Sequence, residues 1–353
     1  TFLAKSTPIR IIVIGLSSLI NDIYLNHGTS MPIVRGVHPI SLGCMGMSEF
    51  YGPADKAQSL ATLEYAIEKG ITFFDTADTY GLGRNEKLLS SFLARHREQI
   101  TLATKFGIVR DGPLADRRID NTATYMANAC EASLKRLGIE TIDLYYAHRL
   151  NPDVPVEETV GAMAELVKQG KVRGLGLSEV SPETLRRAHA IHPIAAVQSE
   201  YSLWTRDPED GMLQTCKELG VAFVPYSPLG RGFLTGKIRS VDDMAVDDFR
   251  RTSQPRFQGE NLQKNLSVVD ALTRFADSKG CTPAQLALAW VLAQGDHVIP
   301  IPGTRTERYI DENISAGSLS LTAEEISALD EIVPKGAVSG ERYTSEGMRH
   351  VNI

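Results

Sequence analysis

The sequence predicts an α/β chain of the (β/α)8 barrel class, a single domain with long loops at the C-terminal face of its strands. Two observations carry this. From residue 39 onward, short apolar runs alternate with longer segments of helical period, giving eight strand–helix units in about 270 residues. Most of the short runs also lack polar alternation, as strands buried on both faces of a parallel sheet do. A doubly wound sheet is the competing architecture. Its phosphate loop is missing, because no GxGxxG turn follows the first run and "GLGRNE" after Tyr80 lacks the third glycine.

In chain order the candidate strands are "PISLG", "ITFFDT", "ITLATK", "TIDLYYAH", "VRGLGLS", "AAVQSEYS", "VAFVPYS" and "HVIPIPG". Between them lie helical patterns. "VEETVGAMAELVKQG" sets Val156, Val160, Met163 and Val167 on one face and stops at Gly170. "SPETLRRAHA" offers Ser181 as N-cap with Pro182 at the first helical position. "LTAEEISALDEI" holds Thr322 and Glu325 in capping-box register. Residues 230–264 form a long Gly- and charge-rich connection after the seventh strand, of the kind that shapes a site at a barrel mouth. The polar tail after Val333 is expected to fold across the same mouth.

Residues 1–30 are read as an extension of uncertain origin, and 31–353 as the barrel domain with Met31 a natural start. "IRIIVIGLSSLI" resembles a short signal-peptide core but is too short to span a membrane, and no small-x-small cleavage site follows it cleanly. With 42% hydrophobic and 23% charged residues the composition is that of an ordinary globular protein. Net charge is −6 and the basic residues are interspersed with acidic ones, so neither nucleic acid nor a membrane is expected as a partner. The four cysteines lack CxxC spacing and read as reduced thiols of a cytoplasmic enzyme.

Catalytic groups of a barrel project from the C-terminal ends of different strands. Those ends carry Asp75, Lys105 and His148, then Ser178 with Glu179, Gln198, Tyr226 and "PGTR" at 302–305, while Tyr80 lies just past the second strand. The set suits carbonyl reduction. Hydride arriving at a carbonyl carbon leaves charge on oxygen, which needs a proton donor within reach. A phenol with an ordinary pKa of roughly 10 is a reluctant acid, and a neighbouring ammonium lowers it. Asp75 would anchor Lys105 beside Tyr80, and His148 would orient the substrate oxygen through a ring N–H.

Plainer readings exist for each residue. Asp75 and Asp78 could hold a metal, but no Glu or His accompanies them in a metal-site pattern, so no metal is expected. His148 alone would be a structural histidine, Tyr226 a rim residue and Cys44 a small core residue. Lys105 has the stronger claim, since a buried lysine needs a partner. Arg305 and Arg308 near a helix start run against the helix dipole, which favours a bound phosphate over a solvated face.

The segments "DTADTYGLGRNE", "TKFG", "DLYYAHR", "GLSE", "VQSEYS", "PYSPLGRGFLTGK" and "IPGTRTERYIDEN" together resemble the aldo-keto reductase family, in its bacterial and plant-type monomeric-barrel branch, over residues 39 to about 340. The resemblance implies an NADPH-dependent reductase of aldehydes or ketones with a tetrad of Asp75, Tyr80, Lys105 and His148, Tyr80 being the general acid. It further implies that Ser178 and Gln198 bind the nicotinamide carboxamide and that Tyr226 stacks on the ring. Ser227, Leu229 and Gly232 would line the pyrophosphate, Gly303, Thr304 and Arg305 the 2′-phosphate, and Glu312 and Asn313 the adenine. Glu179 stands where many members carry Asn. Met45, Met47, Phe50 and Tyr51 in "CMGMSEFYG" offer an apolar wall and suggest an aromatic or otherwise bulky carbonyl as the small-molecule partner. The sequence leaves the oligomeric state open. Two rival readings are an NADPH-binding barrel that serves as a regulatory subunit, and a sugar-phosphate barrel enzyme binding phosphate at "PGTR" without nicotinamide.

Overall fold

The structure, a computed structural model, describes residues 36–110 and 117–352. The expected N-terminal extension lies outside the described residues. Seven parallel strands form one sheet in sequential order: β1 (Leu42–Gly43), β2 (Phe73–Asp75), β3 (Thr101–Phe106), β4 (Ile142–Ala147), β5 (Val172–Ser178), β6 (Ile194–Glu200) and β7 (Ala222–Tyr226). The eighth run, "HVIPIPG", closes the ring without becoming a regular strand. Its Ile299 and Ile301 N–H groups donate to Phe223 and Pro225 of β7 at 2.8 and 3.0 Å. On the other edge Pro300 and Pro302 accept from Ser41 and Gly43 at 3.0 and 3.3 Å. Two prolines without N–H groups explain why the ladder there is broken.

The helices form where the periodicity places them. Val156–Lys168 buries Val156, Val160 and Met163, with Val167 half-buried, and Gly170 beyond its end is left-handed at φ 75°. Ser181 caps Pro182–Ile191 through the Thr184 N–H. Thr322 and Glu325 form the reciprocal capping box at the head of Ala323–Ile332. The two thick apolar layers lie between strands and helices, while the barrel interior is filled by Phe73, Leu144, Tyr146, Val224, Ile299 and Ile301 among small alanines. Alternation of large and small side chains lets a closed barrel pack without a pore. Among the described residues no helix is long and apolar enough to cross a membrane.

Gly176 on β5 shows how tight this interior is. A Cβ there would lie 2.4 Å from two carbons of the Tyr146 ring on the neighbouring strand. Gly176→Ala is therefore expected to cost about 1–3 kcal/mol by overpacking. Urea unfolding should show a lower midpoint with an unchanged slope, and Tyr146→Leu added to it should recover part of the loss. An unchanged midpoint in the single variant would mean that the Tyr146 ring moves aside freely.

Candidate active site

β2 ends in Asp75, and the chain then turns sharply. Thr76 N–H donates to Ala103 O at 2.9 Å and Asp78 N–H to Lys105 O at 3.1 Å, so the turn hangs from β3. Gly81, Leu82 and Gly83 are all left-handed, which delivers the chain into the helix Arg84–His96. Asn85, on the first turn of that helix, fixes the arrangement: it accepts from Thr76 Oγ1 at 2.6 Å and donates to Cys44 O and Ser48 Oγ, both at 2.8 Å. Tyr80 is thereby swung over the end of β3.

There the fully buried Lys105 ammonium donates to Asp75 Oδ1, to Thr76 O at 2.8 Å and to Tyr80 Oη at 3.1 Å. The second oxygen of Asp75 accepts from Gln198 Nε2 at 2.8 Å. His148 places its ring edge-on to Tyr80, with centroids 5.9 Å apart. All four tetrad residues named from the sequence thus converge. Asp78 is not with them: it does not line the cavity, and burial, followed by Glu86, pushes its carboxyl up to about 8.

Burial works against the Lys105 charge, but Asp75 and Tyr80 outweigh it and hold the ammonium above its ordinary value. Burial pushes Tyr80 up; Lys105 pulls it down by less, and Asp75 adds to the rise. The lowering expected from the ammonium is thus present but outweighed, and the phenol is fully protonated near neutrality. Burial, then Lys105, Arg149 and Arg117, holds His148 well below its ordinary value of 6.5, so its imidazole is neutral.

The cofactor-binding residues named from the sequence fall on one cavity of about 1480 Å³, together with Asp75, Tyr80 and His148. Ser178 and Gln198 lie beside the tetrad. Tyr226, Ser227, Leu229 and Gly232 form the rim after β7, and Gly303, Thr304, Arg305, Glu312 and Asn313 continue it around the eighth run. The volume exceeds the roughly 300–1,000 Å³ of a common small-molecule pocket and suits a dinucleotide with a small substrate beside it. Among the described residues Arg305 meets no carboxylate; it donates to the carbonyls of Pro53 at 2.6 Å and Tyr51 at 3.2 Å, just ahead of the helix Glu307–Ser315. A cation with no carboxylate partner at a helix start fits a phosphate group. Arg308 lies off the cavity, against the Tyr309 ring. Met45, Met47, Phe50 and Tyr51 line the same cavity, as the apolar run suggested.

Glu179 is the residue whose part was least legible. It sits left-handed at φ 57°, and its carboxylate is wholly engaged: by Arg342 through two bonds of 3.1 Å, by Tyr226 Oη at 2.8 Å and by the Glu200 N–H at 2.9 Å. Tyr343, next to Arg342, reaches Tyr226 Oη at 2.7 Å and accepts from Arg231 at 2.8 Å. Arg231 itself pairs with the buried Glu200 at 2.8 Å. The long loop and the tail therefore do meet over the mouth, through charges. "GRGF" and "ERY" carried the only sequence signal, isolated arginines in Gly-rich polar stretches.

Strand-end groups set for acid–base work beside a dinucleotide-sized cavity mark a barrel oxidoreductase. The sequence model of the aldo/keto reductase family matches residues 39–334, and the chain belongs to that family. It is 48% identical over 316 residues to a probable aldo-keto reductase 1 of Glycine max, covering 89% of this chain and 90% of the relative. It is 42% identical over 312 residues to the aldo-keto reductase yakc [NADP(+)] of Schizosaccharomyces pombe, covering 87% and 92%. Among solved structures, the glycerol dehydrogenase AKR11B4 of Gluconobacter oxydans superposes with a TM-score of 0.78 at 28% identity, over 92% of this chain and 96% of that one.

The depressed His148 has a consequence for stability. Below its ordinary value of 6.5 the unfolded chain takes up a proton there that the folded chain refuses, so stability falls as pH falls through that value. One such group contributes a slope approaching about 1.4 kcal/mol per pH unit. Urea unfolding at about pH 7.5 and about pH 5.5 should show a larger loss for the wild type than for His148→Gln. Equal losses would mean that His148 titrates as an exposed histidine does.

Proposed function

We propose that this enzyme interconverts aldehydes or ketones and alcohols with NADP(H), reversibly, with Tyr80 as the general acid. The observation that carries the reading is the buried relay Asp75–Lys105–Tyr80, of which the phenol, and not the ammonium, lines the cavity. The bound nicotinamide supplies or takes up the hydride. Tyr80 gives its proton to the carbonyl oxygen as charge gathers there, and Lys105 stabilises the phenolate left behind. Asp75 keeps that lysine charged and in place. Neutral His148 donates a ring N–H to the same oxygen and fixes its direction. In the alcohol-to-carbonyl direction the same groups run the proton back.

Gln198 holds Asp75 with its amide nitrogen, leaving the amide oxygen for the nicotinamide carboxamide, with Ser178 beside it. Tyr226 stacks on the ring; Ser227, Leu229 and Gly232 take the pyrophosphate, and Glu312 and Asn313 the adenine. Gly303, Thr304 and Arg305 take the 2′-phosphate, which the NADP(+) in the name of the yeast relative supports. Four unpaired thiols, three of them buried, suit a cytoplasmic protein.

Tyr80→Phe should lower carbonyl reduction by about 10²–10⁴ with NADPH affinity nearly intact. Lys105→Met should lose a comparable amount, and the double variant should be hardly worse than either, because residues acting as one unit lose activity non-additively. Steady-state assays by NADPH absorbance test this. Multiplicative losses, or a Phe variant keeping more than about a tenth of the rate, would remove Tyr80 from the acid's role.

Arg305→Ala should weaken NADPH about ten- to a hundredfold and NADH far less, since only the 2′-phosphate offers charge-assisted bonds to lose. Loosening of Tyr51 and Pro53 would touch both cofactors alike, so the ratio isolates the phosphate. Fluorescence titration of the two cofactors gives it, and equal weakening would deny Arg305 this part.

A further inference from the structure

We infer that the natural substrate carries an anionic group, a carboxylate or phosphate, bound by Arg117 on the β3 side of the mouth; this rests on the reductase reading above. After β3 the chain forms a short antiparallel pair, Ile108–Val109 with Arg118–Ile119. This pair and the end of β4 bring four arginines to one sector: Arg110, Arg117, Arg118 and Arg149. Three of them have acceptors. Arg110 is buried on Glu49, with Nη1 to Oε1 at 2.8 Å, and donates to Thr79 Oγ1 at 3.1 Å. Arg118 meets Asp120 at 3.0 Å. Arg149 donates to His148 O at 2.7 Å and Ser178 Oγ at 3.2 Å.

Arg117 donates to no acceptor among the described residues. Its guanidinium lies over the Phe50 ring, 5.8 Å from the centroid, and it lines the cavity with Tyr80 and His148. A solvated arginine on an outer surface would need no explanation. This one lines the cavity, and the carboxylate beside it among the described residues is already spent: Glu49 accepts from Arg110 with both oxygens and from the Gly81 N–H at 2.8 Å. Arg117 is exposed to solvent at the mouth of the cavity, and partial desolvation there, then Arg110, lowers its pKa. An anion placed there would balance the excess.

That anion does not belong to the proposed cofactor. The rim assigned to its phosphates is built from residues after β7 and from 303–313, across the barrel from β3. Phe50, Ile108 and Ile119 flank Arg117 along the cavity. The geometry points to a substrate with an apolar or aromatic body, its carbonyl at Tyr80 and His148 and its acid group on the guanidinium. A planar fork matches carboxylate and phosphate through paired bonds.

The test compares 4-carboxybenzaldehyde with its methyl ester, and glyceraldehyde 3-phosphate with glyceraldehyde, as substrates with NADPH. In the wild type at least one anionic member should exceed its neutral partner in kcat/KM, and which pair does so separates carboxylate from phosphate. Arg117→Met should reduce that ratio about ten- to a hundredfold, mainly through KM, and Arg117→Lys should retain part of it. Higher salt should shrink the wild-type ratio, as for a partly exposed charge pair. Ratios at or below one for both pairs, or ratios unmoved by Arg117→Met, would overturn the inference and leave the reductase intact. Failure of the wild type to reduce any of the four would overturn the reductase reading itself.

Discussion

A lysine ammonium with no exposed surface is the constraint on which this architecture depends. A buried charge is costly unless it is paired and its protons are all used. Lys105 has three N–H donors and three acceptors: Asp75, Thr76 O and Tyr80 Oη. The acceptors come from the end of β2, from the first residue of the following turn and from the residue that closes that turn. Asp75 in turn draws Gln198 in from β6. One ammonium thus fixes the relative heights of three strand ends and the path of residues 75–80. The register of the sheet agrees with it, with Asp75 opposite Ala103 on β3, two residues before the lysine.

A second buried charge system closes the mouth. Glu179 adopts a left-handed backbone, which costs a non-glycine residue about 1–2 kcal/mol, and so brings its carboxylate under Tyr226. Arg342 answers it from the C-terminal tail, and Glu200 on the next strand gathers Arg231 at 2.8 Å and Arg256 at 3.7 Å. Loop, tail and strand ends are therefore joined by directional polar contacts. An apolar lid could slide over the barrel in many registers; a set of buried ion pairs has few satisfactory arrangements, because each unpaired member would be expensive.

The barrel was legible because its signals are local and periodic. Apolar runs gave the strands, Ser181, Thr322 and Glu325 gave helix starts, and a carboxylate or lysine at the end of an apolar run stood out against its surroundings. The eighth run was readable as an element but not in its irregularity, which comes from two missing N–H groups acting on both sheet edges at once. Asn85 and Arg342 escaped for another reason. Asn85 reaches back to Cys44, 41 residues away, and Arg342 to Glu179, 163 residues away, so little near either residue announces its work. The protonation of Tyr80 escaped as well. The sign of the Lys105 effect follows from charge alone, but whether it outweighs burial depends on how deeply the ring is enclosed.

That competition bears on how the proposed acid works. Burial and Asp75 both favour the neutral phenol, and only Lys105 among the larger influences opposes them. Asp75 therefore acts in two opposed ways. It keeps the lysine charged, without which the phenolate would have no counter-charge, and its own negative charge partly cancels the lysine as felt by Tyr80. A lysine alone would make a stronger acid in principle, but burial would drive it toward the neutral form, and that would remove its effect altogether. With the carboxylate present, the ammonium persists and the phenol remains protonated at rest. The stabilisation is then largest when it is needed, after the proton has moved to the substrate oxygen and the phenolate faces an ammonium 3.1 Å away in a water-excluding interior.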